Sequence, residues 1–193
     1  MEPGETSGID PACKRSARES PGATVFTKDV DMIYSEILPI AVATKDILAP
    51  HCERIAIAGS VRRKKPDCGD LELVCIPKPY GVGLFASGIV LACQEWPVVK
   101  GQWPCKYSQM ILPCGLKLDL FTATKENWGL IFSIRTGSAD FSHNVLACGW
   151  VKAGYHSKDG MLHNNYGHQI PVYEEIDLFK KIGIPWIEPE KRI

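Results

Sequence analysis

Apolar side chains recur at steps of three and four near the start of the chain. This period is typical of one face of an α-helix that begins after Thr27, its candidate N-cap. The positions on that face are Val30, Ile33, Ile37, Ala41, Thr44 and Leu48. Pro39 falls inside the helix, where a proline removes a hydrogen bond and costs roughly 3 kcal/mol. We therefore expect a kink at Pro39 or two short helices.

Alternating apolar and polar residues next predict a β-sheet. The expected strands are RIAIAG (54–59), DLELVCIP (70–77), a segment of about 98–112, and LKLDLFT (116–122). Between the first two strands we expect a turn and a short helix that end at Pro66. Residues 82–96 carry apolar side chains at helical spacing, which predicts a helix packed on one face of the sheet.

After Thr124 the pattern becomes mainly helical. Two helices are expected around a break at 136–138, where Ser138 can cap the second helix. The sequence Lys158-Asp159-Gly160 predicts a β-hairpin turn, and EEIDLFKKIGI (174–184) predicts a short amphipathic helix. The order of these elements indicates an α+β fold.

Composition narrows the class of protein. The 193 residues are 45% apolar and 23% charged with zero net charge, so nucleic-acid contacts must rest on local basic patches. No apolar run reaches the ~18 residues of a membrane span, so we expect a soluble protein. We also expect it to be monomeric and located in the cytoplasm, or in the host-cell cytoplasm if viral. The eight cysteines lack CxxC spacing and are predicted to be reduced thiols. Residues 1–24 have a composition that predicts a disordered tail.

Three acidic residues occupy apolar strands, where an unpaired carboxylate is costly. Asp70 and Glu72 lie two apart and point to the same face of their strand. If the strand that contains Asp119 is a neighbour, three carboxylates meet there, and they repel one another unless a cation joins them. Oxygen ligands of this kind suit Mg²⁺ held together with substrate phosphates.

The residues just upstream suit a phosphate. Gly59 and Ser60 follow a strand and can offer backbone amides and a hydroxyl, while Arg63 supplies a fixed positive charge. Taken singly, D-x-E in a strand is more often an exposed edge or a salt-bridged pair, and RRKK is more often a solvated face. The combined order of strand, Gly-Ser, arginines, D-x-E and a separate strand acid favours nucleotide chemistry.

The stretch GSVRRKKPDCGDLELV resembles the signature of the nucleotidyltransferase superfamily, and within it the family X, DNA polymerase beta-like, DNA polymerases. LKLDLFTATKENWGLIFSIRTGS is similar to the family's third-acid strand, the following helix and its Thr-Gly-Ser turn. EEIDLFKKIGIPWIEPEKRI is similar to its C-terminal end. The resemblance therefore covers residues 28–193 in the family's order.

The resemblance implies a nucleotidyltransferase palm over 25–123, a mixed sheet with helices on one face, followed by a small α/β thumb-like lobe over 124–193. It implies that Asp70, Glu72 and Asp119 are catalytic and bind two Mg²⁺ ions, for which Mn²⁺ can substitute. Gly59, Ser60 and Arg63 would contact the β- and γ-phosphates of a nucleoside triphosphate, and Thr136, Gly137 and Ser138 would lie along its sugar and base. The acceptor would be a DNA primer-template or gapped DNA, as in repair synthesis.

Three features depart from the family pattern. Glu72 stands where these polymerases usually carry Asp, and Ile134-Arg135 replaces an aromatic pair, which leaves both deoxy- and ribonucleotide use open. The residues before Arg54 are too few for the family's lyase and fingers regions, so the resemblance is to a minimal palm-plus-thumb form. Transfer to RNA, protein or a small molecule, and a non-catalytic binding module, remain alternative functions.

Overall fold

The structure, a computed structural model, describes residues 31–79, 88–101 and 105–193. The predicted tail over 1–24, the candidate cap Thr27 and the first part of the predicted 82–96 helix lie outside the described residues.

The described residues form both helices and strands. The helices are α1 (Tyr34–Leu48), α2 (Gly59–Arg62), α3 (Gly88–Ala92), α4 (Trp128–Thr136), α5 (Cys148–Lys152) and α6 (Glu175–Lys181). A π-helical segment spans Phe141–Ala147, and 3-10 turns span Ala49–His51 and Pro189–Lys191. The strands are β1 (Met32–Ile33), β2 (Cys52–Ile57), β3 (Asp67–Cys68), β4 (Leu71–Pro77), β5 (Val98–Lys100), β6 (Tyr107–Ile111), β7 (Lys117–Thr122), β8 (Tyr155–Lys158), β9 (Met161–Asn164) and β10 (Gln169–Ile170).

The largest sheet has the strand order β2-β4-β7-β6-β5. Strands β4 and β7 are parallel, and the other neighbours are antiparallel. The mixed five-stranded sheet with its helices confirms the α+β class. The predicted 98–112 strand is divided into β5 and β6, and residues 102–104 between them are outside the described part.

Helix α1 buries four positions of the predicted face, Ile37, Ala41, Thr44 and Leu48. The prediction is wrong for Ile33, which lies before the helix in β1 and is exposed. It runs without interruption from Tyr34 to Leu48, so the expectation of two short helices at Pro39 is wrong. Pro39 lies in the second turn, where its missing amide removes only one backbone hydrogen bond and packing on the sheet compensates.

The two faces of the large sheet have different neighbours. Leu71, Leu73 and Cys75 of β4 pack in one core together with α1 and Ile89 of α3. On the opposite face, β4 and β7 contribute to a second core with α4. The members of this second core are Ala58, Val74, Ile76, Phe121, Ala123, Trp128 and Phe132. No helix among the described residues is both long and apolar enough to cross a bilayer.

The part of the chain after α4 has a core of its own, built around α6 and a three-stranded antiparallel sheet, β10-β9-β8. Its predicted hairpin is confirmed, because Asp159 and Gly160 have φ values of 55° and 80° and join β8 to β9. The predicted cap is also confirmed, since the amide of Phe141 donates to Oγ of Ser138 at 3.0 Å.

Candidate active site

Three acidic residues lie at one end of β4 and β7. Leu71 and Leu73 of β4 point into the α1 core, so the alternation of the strand directs Glu72 to the opposite face. Glu72 is in register with Asp119 on the parallel strand β7, and Asp70 immediately precedes β4. The sheet therefore brings the three carboxylates that the sequence singled out to one face.

Burial and the proximity of other acids raise the pKa values of Glu72 and Asp70. Burial, followed by the charge of Asp70, raises the pKa of Glu72 to about 7, while Arg135 acts in the opposite direction. Burial, followed by the charge of Asp119, raises the pKa of Asp70. Both shifts arise first from burial and then from the charge of a neighbouring acid, and the nearby arginines and lysine offset them only in part.

Each of two acids is held by its own neighbours. The Glu72 carboxylate lies against Gly59, where a Cβ atom would come within 2.0 Å of Oε2. Oδ1 of Asp119 accepts hydrogen bonds from Nε2 of Gln109 at 2.8 Å and from the hydroxyl of Tyr107 at 3.1 Å. These donors come from β6, the strand antiparallel to β7, and they leave Oδ2 of Asp119 without a donor among these contacts.

The carboxylate oxygens of Asp70, Glu72 and Asp119 are chemically suited to a hard divalent cation. Carboxylate oxygens are the ligands that Mg²⁺ prefers, and the partly compensated charge of Asp70 and Glu72 is what such an ion would neutralise. As the side chains stand, no three His, Cys, Asp or Glu residues in the described part of the chain are close enough to hold a metal ion. Because Glu72 rests on Gly59 and Asp119 is bound to β6, the three acids share a face without converging.

The Gly-Ser turn lies directly beside the acids. Gly59 has φ +62°, a left-handed conformation that suits glycine, and it begins the short helix α2. The hydroxyl of Ser60 is buried and has no hydrogen-bond partner within the described residues. Arg63 follows, and its Nη1 donates to the carbonyl of Thr136 at 2.7 Å. This contact links the turn to the end of α4.

A pocket of about 290 Å³, which we call the arginine pocket, lies between α2, β4 and the end of α4. Its wall includes Arg63, Glu72, Arg135, Gly137 and Ser138. Three of these residues, Arg63, Gly137 and Ser138, were expected at a nucleotide, and the structure brings them together with Glu72, which was expected at the metal ions.

Thr136 is placed differently from the expectation that it lies along a nucleotide. Its side chain is fully buried, and Oγ1 accepts a hydrogen bond from Nη1 of Arg62 at 2.5 Å. Thr136 thus lies behind the arginine pocket and connects α4 to α2.

An ion network that the sequence did not reveal supports this region. Glu175 is 7% exposed and accepts hydrogen bonds from Arg62 and from the fully buried Arg192. The carbonyl of Arg192 in turn accepts from the amide of Ser138 at 2.9 Å. The C-terminal end of the chain therefore positions one wall of the arginine pocket.

The cations of the RRKK run have separate roles. Arg62 belongs to the Glu175 network, Arg63 lines the pocket, and Lys64 pairs with Glu190 at 2.7 Å in a solvent-exposed contact. Sequence reasoning also missed Tyr107 and Gln109. Tyr107 and Gln109 are two residues apart in β6, so their side chains point to the same face of the sheet as Asp119. The sequence pattern can identify them only once the register of β6 and β7 is known.

Comparison with known proteins addresses the C-terminal part of the chain. Residues 133–193 match the family model described as DNA polymerase beta thumb. This range contains Arg135, Gly137, Ser138, Glu175 and Arg192, whereas the three acids lie before it. No curated protein matches the sequence. The thumb match supports a relationship between this chain and the DNA polymerase beta-like polymerases of family X.

Proposed function

We propose that this protein is a metal-dependent nucleotidyltransferase of the DNA polymerase X type. It would transfer a nucleoside monophosphate from a (deoxy)nucleoside triphosphate to a DNA 3′-hydroxyl, as in gap-filling repair synthesis. The observation that carries the proposal is the register of Glu72 with Asp119, beside Asp70 and next to a pocket lined by Arg63, Gly137 and Ser138. Residues 25–123 would serve as the palm and 124–193 as the thumb-like lobe.

In this proposal, different residues of the chain have different roles. Asp70, Glu72 and Asp119 would hold two Mg²⁺ ions, or Mn²⁺, which would supply activation of the 3′-hydroxyl and charge stabilisation for the leaving pyrophosphate. Tyr107 and Gln109 orient Asp119 through its Oδ1 atom. Ser60 offers a buried hydroxyl with no partner among the described residues, which suits a phosphate oxygen.

The test is incorporation on a gapped DNA duplex with Mg²⁺ or Mn²⁺ and a labelled nucleoside triphosphate. Asp119→Asn removes the charge but keeps an oxygen that can accept from Gln109, so the fold should survive while incorporation is lost. Asp46→Asn, at an exposed position of α1, is the matched control and should retain wild-type activity. Undiminished incorporation by Asp119→Asn contradicts the proposal.

Two other functions are separable by experiment. An acceptor screen that includes RNA, protein and small molecules tests transfer to a target other than DNA. A non-catalytic module would show neither incorporation nor metal-dependent binding of a nucleoside triphosphate in calorimetry.

A further inference from the structure

Two guanidinium groups face the arginine pocket, and only one of them belongs to the motif that the sequence singled out. Arg63 comes from the Gly-Ser region, whereas Arg135 comes from the last turn of α4. Arg63 donates to the carbonyl of Thr136, the residue next to Arg135 in the chain. This contact holds the Arg63 guanidinium against the segment that carries Arg135.

Arg63 and Arg135 each keep at least one N–H donor that their contacts within the described residues do not use. The guanidinium of Arg135 lies over the ring of Phe121, 3.9 Å from its centroid, and a cation–π contact uses no N–H donor. Nε of Arg135 and Nε of Arg63 are both buried and have no acceptor within the described residues. A buried donor without a partner is destabilising, so both groups suit a ligand that brings acceptors.

The charges around the pocket must be considered together. Glu72 lines the pocket and interacts electrostatically with both Arg63 and Arg135, and Asp70 and Asp119 lie beyond it. Arg135 nevertheless makes no hydrogen bond or ion pair with Glu72 among the described contacts, and Arg62 is already committed to Glu175. The pocket thus has one carboxylate in its wall and two guanidinium groups with donors to spare.

Guanidinium groups match the oxygens of phosphates, which they bind in bidentate fashion. Gly137 and Ser138 lead into helical residues 139–152, and Ala139 and Ser142 of that segment also line the pocket. Asp140 is an acidic residue in that segment, but it does not line the pocket. Several acceptor oxygens in a row, as in a chain of phosphates, can satisfy both buried Nε atoms at once.

We propose that Arg135 acts with Arg63 to bind the polyphosphate of the substrate, so that Arg135 is a specificity-determining residue for polyphosphate-bearing ligands. The inference rests on the proposed function for the identity of the substrate. The alternative is that Arg135 serves only as a counterion for Glu72. In that case, removal of Arg135 would leave polyphosphate binding unchanged and would affect only the Glu72 carboxylate.

The experiment is calorimetric titration of the full chain with inorganic tripolyphosphate, with and without Mg²⁺, which requires no catalysis. Arg135→Leu should weaken tripolyphosphate binding at least tenfold, and Arg135→Lys should recover part of the loss because it restores the charge without the planar fork. Arg54→Leu is the matched control, because it also removes a guanidinium from an aromatic ring, 4.2 Å from Trp128, but away from the arginine pocket. Its tripolyphosphate affinity should equal that of the wild type.

The outcomes separate the two proposals. Wild-type affinity in Arg135→Leu, an equal loss in Arg54→Leu, or no binding of tripolyphosphate by the wild type under either condition overturns the role of Arg135. Tripolyphosphate binding that depends on Arg135, in a protein that incorporates nucleotide on no acceptor, contradicts the proposed function and leaves this inference standing.

Discussion

Glu175 and Arg62 form a two-pronged ion pair between α6 and α2, with Oε1 to Nη1 at 2.9 Å and Oε2 to Nη2 at 2.6 Å. Because Nη1 of the fully buried Arg192 also donates to Oε1 of Glu175, one carboxylate compensates two guanidinium groups. This contact connects the segment that follows the Gly-Ser turn to the C-terminal end of the chain.

Replacement of that carboxylate should be strongly destabilising. Glu175→Gln leaves Arg192 buried without a counter-charge, and we expect the free energy of unfolding to fall by about 3–5 kcal/mol. Urea unfolding followed by circular dichroism measures the change. Glu174→Gln is the control, since its pair with Arg54 is about half exposed and contributes about 0–1 kcal/mol. Equal losses in the two variants would show that the Glu175 network does not stabilise the fold.

Gly59 should tolerate no side chain. In Gly59→Ala the new Cβ atom would lie 2.0 Å from Oε2 of Glu72, at a φ of +62° that L-residues disfavour. We expect displacement of Glu72 and a loss of nucleotide incorporation on the order of 10²-fold, as small misplacements at reacting centres produce. Steady-state incorporation on gapped DNA provides the measurement.

The control for this variant is Gly167→Ala, which has a similar φ of +81° but open space around the added carbon. It should show the backbone strain in a lowered melting temperature while activity is retained. A comparable loss of activity in both variants would mean that strain, and not contact with Glu72, explains the effect.

Tyr107 and Gln109 should matter through Asp119. Tyr107→Phe and Gln109→Leu each remove one of the two donors to Oδ1, which frees the carboxylate to turn. Loss of such supporting contacts typically lowers metal affinity or activity about 10–100-fold. The readouts are the Mg²⁺ concentration for half-maximal incorporation and Mn²⁺ binding measured by electron paramagnetic resonance. Tyr166→Phe, at a residue that is 86% exposed, should change neither, and a wild-type Mn²⁺ affinity in both test variants would refute the role.

Glu72 should make stability depend on pH. Its pKa is raised in the folded state to about 7 from an ordinary value of 4.5, mainly by burial and next by Asp70. The folded protein therefore binds this proton more tightly than the unfolded chain, and the contribution of Glu72 to stability decreases as pH rises from about 4.5 to 7. Glu72→Gln is neutral throughout, so its stabilising effect should be larger at pH 8 than at pH 5, by up to roughly 3 kcal/mol.

Thermal unfolding in a chelating buffer at the two pH values measures this difference. If Glu72→Gln raises the thermal stability of the protein equally at both pH values, Glu72 is not protonated more readily in the folded state.

Local sequence patterns predicted most of the elements. The period of α1, the alternation of β4 and β7, the Asp159-Gly160 turn and the Ser138 cap depend on neighbours a few residues away, and each is present. Of the two outcomes expected at Pro39, the division into two short helices is wrong, because the cost of a proline in an isolated helix is offset when the helix packs on a sheet.

The candidate site could be predicted from the sequence only in part. Asp70, Glu72 and Asp119 were identifiable because carboxylates in apolar strands require an explanation, and alternation alone puts the first two on one face. That Asp119 stands in register with Glu72, that Tyr107 and Gln109 hold its Oδ1, and that Thr136 is turned inward depend on strand pairing and helix packing.

The sequence by itself determined which residue types recur at the spacings of helices and strands, and which charged groups are out of place among apolar neighbours. Only the tertiary structure decided the partners of those charges: Glu175 with Arg62 and Arg192, and Arg135 with Phe121 and the arginine pocket. The physical reason is range. Backbone propensity and periodicity act over a few residues, whereas the pairing of Arg62 with Glu175 joins positions 113 apart in the chain and exists only after the elements have packed.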